Sequence, residues 1–252
     1  LLGQLAPGAG NVISGNTTNG VLVTDATGTL IRGNRIGTNV DGTAAVPNQN
    51  HGIVVGGNTT NTEIGGDTAG AGNLISGNTL DGVFINSSNT FGTLVRANYI
   101  GTDVTGTSSI SNRAGISIST GSSANIIGGQ RTANILNVIA GNRAQGIVLA
   151  DTLTTDNVVS GNFIGVGVTG AALPNASDGI AINGATDTRI GGTTQIQGNF
   201  IAFNGGNGVT VTGGTGNFIT TNSIHSNTLL GINLGAAGVT PNDANDADFG
   251  AN

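Results

Sequence analysis

Apolar residues fall along the chain in short bursts. Two branched aliphatics flank one variable position, and Gly or Asn closes each burst. Three such phrases alternate. The first is Asn-x-Ile, starting at Asn11, Asn34, Asn73, Asn98, Asn137, Asn162, Asn199 and Asn222. The second is a Gly followed by alternating aliphatics, as in "GVLV" from Gly20, "GIVV" from Gly52, "GVFI" from Gly82 and "GVTV" from Gly208. The third lies between them: "TLIRG" from Thr29, "TEIGG" from Thr62, "NIIGG" from Asn125 and "TRIGG" from Thr188. Alternation with period two over three to five residues predicts strands, each with its flanking aliphatics on one face and the middle residue on the other.

Strands this short cannot bury themselves alone. Stacked cycle on cycle, three strands per cycle make three parallel sheets around one core. The crossover preference makes the winding right-handed. The predicted fold is therefore all-β, a right-handed parallel β-helix of about eight three-strand coils, roughly 40 Å long at one strand spacing per coil. The coils come in pairs: Asn11, Asn73, Asn137 and Asn199 stand 62, 64 and 62 positions apart. One coil of each pair carries a long loop after its Asn-x-Ile strand (38–51, 102–114 and 166–178). The other carries a shorter loop before that strand, such as "DTAGAG" from Asp67. The long loops share "TNVDGTA", "TDVTGTS" and "VGVTGAA" and are expected to form a comb along one edge. Residues 1–235 read as the β-helix, which opens inside a strand as a piece of a longer repeat array would. Residues 236–252 read as an acidic Asn/Asp-rich tail or linker.

Composition sharpens this picture. The 252 residues include 46 Gly, few charges and no Cys, Met, Trp or Lys, so strands and turns are favoured over helices. The net charge of −6, with seven scattered Arg, argues against nucleic acid as a partner. No apolar run is long enough to predict membrane insertion, and the N-terminus has no basic region of the secretory type.

The Asn of Asn-x-Ile recurs at a strand entrance in every cycle. The reading is an internal ladder in which each amide bonds the next: Asn11, Asn34, Asn73, Asn98, Asn137, Asn162, Asn199 and Asn222. The outward positions are unexpectedly apolar. Leu22, Val54 and Phe84 in one strand type, and Leu74, Tyr99, Phe163 and Phe200 in the other, are candidates for an interaction surface. The alternative is that loops fold over them. The acids are scattered and no catalytic constellation is assigned; Asp41 and Asp103, on the long loops, are the acids whose replacement would expose one. In the tail, Asp243, Asn245, Asp246 and Asp248 alternate oxygen ligands in the manner Ca²⁺ prefers, the one candidate metal cluster; no other cofactor is expected.

With these repeats the chain resembles bacterial right-handed parallel β-helix repeat proteins, secreted or surface polypeptides in which "N-x-I-x-G-N", "G-I-x-I" and "IGTDxTGT" phrases recur. The resemblance spans residues 2–234. It implies an extracellular or cell-surface location and leaves function open, because the architecture serves polysaccharide lyases and hydrolases as well as adhesins. The residues that define pectin-cleaving members have no counterpart. The expectation is a non-catalytic structural or adhesive module of a larger surface protein, with self-association into filaments or other surface proteins as partners. The alternative is a carbohydrate-active or glycan-binding β-helix.

Overall fold

The computed structural model of the protein describes residues 1–4, 10–131 and 136–235. Among them are 24 short strands and a one-turn 3-10 helix at Gln195–Gln197. They wind through eight coils into three parallel sheets. Sheet A contains Leu2–Gly3, Leu30–Arg32, Glu63–Gly65, Leu94–Arg96, Ile126–Gly128, Val158–Ser160, Arg189–Gly191 and Phe218–Thr220. Sheet B takes the Asn-x-Ile strands: Val12–Ile13, Arg35–Ile36, Leu74–Ile75, Tyr99–Ile100, Val138–Ile139, Phe163–Ile164, Phe200–Ala202 and Ser223–His225. Sheet C takes the Gly-aliphatic strands, from Val21–Thr24 through Ile53–Gly56 and Val83–Asn86 to Ile232–Leu234. The fold is the right-handed parallel β-helix that the repeats predict.

The register explains the repetition. Adjacent coils sit one strand spacing apart, so each inward residue lies on its counterpart in the next coil. In sheet A, Ile64 pairs with Val95 and Val95 with Ile127. All three are fully buried. β-branched side chains of matching shape stack on one another, and the core is one continuous column of mostly Ile, Val and Leu.

The corners are as regular as the strands. Between sheets C and A the turn takes a left-handed residue in each repeat, with φ 68° at Gly28, 54° at Asn61, 52° at Ala124 and 50° at Asp187. Gly, Asn and Asp tolerate that region at low cost. Gly65 faces a different constraint, because a Cβ there would lie 1.8 Å from the Arg96 carbonyl oxygen of the next coil.

Sheet B is bracketed by two amide ladders. At the A–B corner the predicted ladder is complete. Each Nδ2 donates to the Oδ1 of the next coil's Asn, from Asn11 to Asn34 (2.9 Å) through Asn98 to Asn137 (3.1 Å) to Asn199 to Asn222 (2.9 Å). Most rungs also donate to a sheet A carbonyl of the preceding coil, as Asn98 does to Ile64 at 2.9 Å, and some close their own corner, as Asn98 does on the Arg96 carbonyl at 2.8 Å. The backbone N–H of Asn98 donates to the same Asn137 oxygen at 2.9 Å. At the B–C corner a second ladder joins Asn16, Asn48, Asn78, Asn112, Asn142, Asn175, Asn204 and Asn227. A third, at the entrance to sheet A, is incomplete. Asn125 donates to Asn157 at 2.9 Å, whereas the buried hydroxyls of Thr62 and Thr93 have no partner. A Thr side chain is too short to carry an amide's bridging pattern.

Candidate functional site

The loops give sheet B its surroundings. Coils 2, 4 and 6 bear the long loops at the B–C corner, and coils 3, 5 and 7 bear the shorter ones at the A–B corner. Sheet B is thus flanked on both edges, by opposite sets of coils. The long loops form the expected comb. Each closes on itself through an antiparallel bridge: Thr38 with Ala45, Thr102 with Ser109 and Val166 with Ala172. The second and third also hang on their predecessors, the Val104 N–H donating to the Gly42 carbonyl at 2.9 Å and the Val168 N–H to the Gly106 carbonyl at 3.0 Å. The shorter loops bond to the tight corners beside them, Gly33 N–H to Ala71 and Gly161 N–H to Gln197.

The comb leans over sheet B. A Cβ at the loop tip Gly42 would come within 2.8 Å of both Leu74 and Val104, and one at Gly106 within 3.2 Å of the Tyr99 ring. Both tips have φ near 70°, so Gly serves the turn and the close approach together. Between the two sets of loops lies a cleft of about 810 Å³. Leu74, Tyr99 and Phe163 form its floor, Val104 and Val168 one side, and Arg131 with the 68–70 segment the other. The three floor residues belong to one column of sheet B, which runs Arg35, Leu74, Tyr99, Val138, Phe163, Phe200 and Ser223. Beyond the last long loop the column stays aromatic. Phe163 lies 5.7 Å from Phe200 (ring centroids), and His225 meets Phe200 edge-on at 4.8 Å. Phe203 reaches His225 at 6.0 Å. Phe203 itself stands at the corner that Gly15, Gly77 and Gly141 occupy in other coils, and holds their left-handed conformation with φ 62°.

The charges around the cleft have definite partners. Burial pushes the Asp103 carboxyl up, but hydrogen bonds from the Thr105 hydroxyl and the Thr107 and Ser108 N–H groups outweigh it and hold the pKa below the ordinary carboxylate range. Asp103 is therefore the anchor of its own loop turn, as Asn39 is in the first loop through the Thr43 and Ala44 N–H groups. Burial, and then the Asp103 charge, push the Tyr99 phenol up, so it remains a protonated hydroxyl at neutral pH.

A second cluster, His51, Asp81 and Arg113, has the composition of acid–base machinery but a structural geometry. The Asp81 N–H donates to His51 Nδ1 at 3.3 Å, which puts the imidazole proton on Nε2. Burial lowers the His51 pKa, and Arg113 adds to this against the opposing pull of Asp81. The Asp81 carboxylate is taken by Arg113 through two bonds of 2.9 Å, which raise the Arg113 pKa. A further bond to Asp81 comes from the Ala114 N–H at 3.2 Å. Asn19 and Asn207 do the same at equivalent corners, accepting the N–H of His51 and Leu230. The row is a corner ladder with mixed side chains.

The candidate interaction residues separate into two faces. Leu22, Val54 and Phe84 lie on sheet C and the other four on sheet B. Leu22 is 61% exposed, but Val54 is buried beside larger neighbours and Leu74 is buried beneath the Gly42 tip. Phe84 carries the His51 ring at 4.6 Å, nearly parallel. Tyr99, Phe163 and Phe200 remain half-exposed. The Ca²⁺ candidate Asp243, Asn245, Asp246 and Asp248 lies outside the described residues. Sequence reasoning missed Arg131 and the second ladder. The ladder's signal is an Asn five positions after the first ladder's Asn, which the long loops interrupt in coils 2, 4 and 6.

No protein-family model and no curated protein matches the sequence. Among solved structures the fold is similar to the crystal structure of the periplasmic alginate epimerase AlgG, with a TM-score of 0.54 and 16% identity. The match covers 85% of this chain and 47% of that one, so the chain spans about half the length of AlgG. Three parallel sheets of eight strands, three strands to a coil, and this likeness in fold agree: the chain is a right-handed parallel β-helix repeat protein.

Proposed function

We propose that the protein is a glycan-binding β-helix that holds an extended polysaccharide in the trough over sheet B, on the extracytoplasmic side of its cell. The observation that carries this reading is the cleft over coils 3 to 6: about 810 Å³ between two sets of loops, with half-exposed Tyr99 and Phe163 in one column of its floor. A pyranose ring presents a C–H face that packs on an aromatic ring, and a linear polymer suits a groove that continues from coil to coil. The likeness in fold to an alginate epimerase supports a carbohydrate ligand over the adhesive, filament-forming alternative. Binding is favoured over turnover because the titratable groups lining the cleft, among the described residues, are Tyr99 and Arg131, with no carboxylate pair to act as acid and base.

The test is calorimetric titration with a panel of neutral and uronic-acid polysaccharides, repeated on Tyr99→Ala and Phe163→Ala. Binding to at least one polymer, weakened about two- to tenfold by each substitution at unchanged melting temperature, is the expected result. Wild-type affinity that survives both substitutions would move the ligand elsewhere on the molecule.

A further inference from the structure

The trough repeats with a period of two coils, although the interior repeats with a period of one. Within this column of sheet B the even coils present Arg35, Tyr99 and Phe163, all half-exposed. The odd coils between them contribute Leu74 at 6% and Val138 at 0% exposure. The walls follow the same rhythm. The loop tips Gly42, Gly106 and Gly170 come from coils 2, 4 and 6, and the facing side, among the described residues, from the 68–70 segment of coil 3 and Arg131 of coil 5. A ligand lying along the floor therefore meets an accessible side chain at every second coil, about 9.5 Å apart at one strand spacing per coil. The alternation holds over coils 2 to 6, the stretch the long loops wall. At coil 7, past the last of them, Phe200 is half-exposed as well.

We infer that the trough reads its glycan in steps of two sugars: a 1,4-linked chain in extended form, with alternate rings seated on Tyr99 and Phe163. This inference rests on the glycan-binding reading and adds a register to it. In such a chain successive rings are turned over relative to one another, so like faces recur once per disaccharide, a length of the same order as two coils. A ring stacked on Tyr99 places the next ring over buried Val138, where there is no side chain to seat it, and the one after over Phe163. Arg35 stands at the following step toward the N-terminal coils, placed to meet an acidic group carried on the same ring of the repeat.

The test uses size-defined oligosaccharides, two to eight residues long, of a neutral β-1,4-linked glucan and of a β-1,4-linked hexuronan, titrated calorimetrically. The expected result is an affinity that rises in pairs, about two- to tenfold for each second residue and little in between. Phe163→Ala should abolish one such step and leave the others. Arg35→Gln should weaken the hexuronan series alone. An equal gain with every added residue would overturn the two-sugar register while leaving glycan binding intact. Failure of both 1,4-linked series and their parent polymers, while another polymer of the panel binds, would also overturn the register alone; failure of the whole panel would overturn both.

Discussion

The inside of sheet B and its outside obey different periods. Inward, every coil repeats its neighbour: Ile36, Ile75, Ile100, Ile139, Ile164 and Ile201 are all fully buried and stacked. An Asn ladder runs along each edge. Outward, Arg, Leu, Tyr, Val and Phe follow one another in the same column, and over coils 2 to 6 accessibility alternates with coil parity. The difference has a physical origin. An interior position touches its counterparts directly above and below, so any departure opens a void or strands an amide. An outward position touches solvent or a loop, and the loops come from every second coil. The scaffold is thus selected coil by coil and the surface pair by pair.

The strongest way to break the comparison is to remove an interior rung. Asn137 donates to the Val95 carbonyl at 2.8 Å and to Asn162 at 2.9 Å, and accepts both the N–H and the Nδ2 of Asn98. Asn137→Leu leaves several of these buried groups unpaired, a cost of about 3 kcal/mol or more. Asn11 bonds Asn34 in the same way but is exposed, so water replaces what its side chain gave. Thermal melts of Asn137→Leu and Asn11→Leu should therefore show a large fall for the first and a small one for the second. Equal shifts would mean that the ladder's contribution does not depend on burial.

These differences mark what could be read in the sequence. The three phrases map one to one onto the three sheets because interior repetition is visible as letter repetition. The first ladder is legible for the same reason. The second is obscured because Asn48, Asn112 and Asn175 follow long loops that break its spacing. The trough was half legible: a loop after the Asn-x-Ile strand in one coil and before it in the next must flank sheet B on both edges. The direction of lean was not, since it depends on the Gly42 and Gly106 tips meeting Leu74 and Tyr99. Nor could the sequence show that Leu74 and Val138 are covered while Tyr99 and Phe163 are not. They hold the same place in the same phrase, and their burial differs only in the folded rod.

Phe203 is where the outer face overrides the inner rule. Its corner takes Gly at positions 15, 77 and 141, and a side chain in the left-handed region costs about 1 kcal/mol or more. In exchange the ring extends the aromatic run toward His225. Phe203→Gly should raise the melting temperature slightly, the relief of strain being reduced by the greater freedom of Gly in the unfolded chain. The same change should weaken binding of polymers long enough to reach coil 8 and spare short oligosaccharides. A destabilised variant would show that the ring's packing outweighs the strain.

The smallest effect probes a corner that is half inside and half outside. His51 serves the sheet C row as a neutral acceptor, and burial holds its pKa below the ordinary imidazole value. The unfolded chain titrates near pH 6.5, so below that pH it binds a proton that the folded chain resists. Stability contributed by the neutral ring is fully present above about pH 6.5 and declines as pH falls from there toward the lower folded value. Asn occupies this place at Asn19 and Asn207 and accepts the same N–H. His51→Asn therefore keeps the acceptor and removes the titration. Melts between pH 7.5 and pH 5 should show a steeper loss for the wild type than for His51→Asn, with the two curves parallel above pH 7. Matching slopes throughout would mean that the ring is already as free to protonate when folded as when unfolded, and that the corner is held by its backbone and by Arg113 on Asp81.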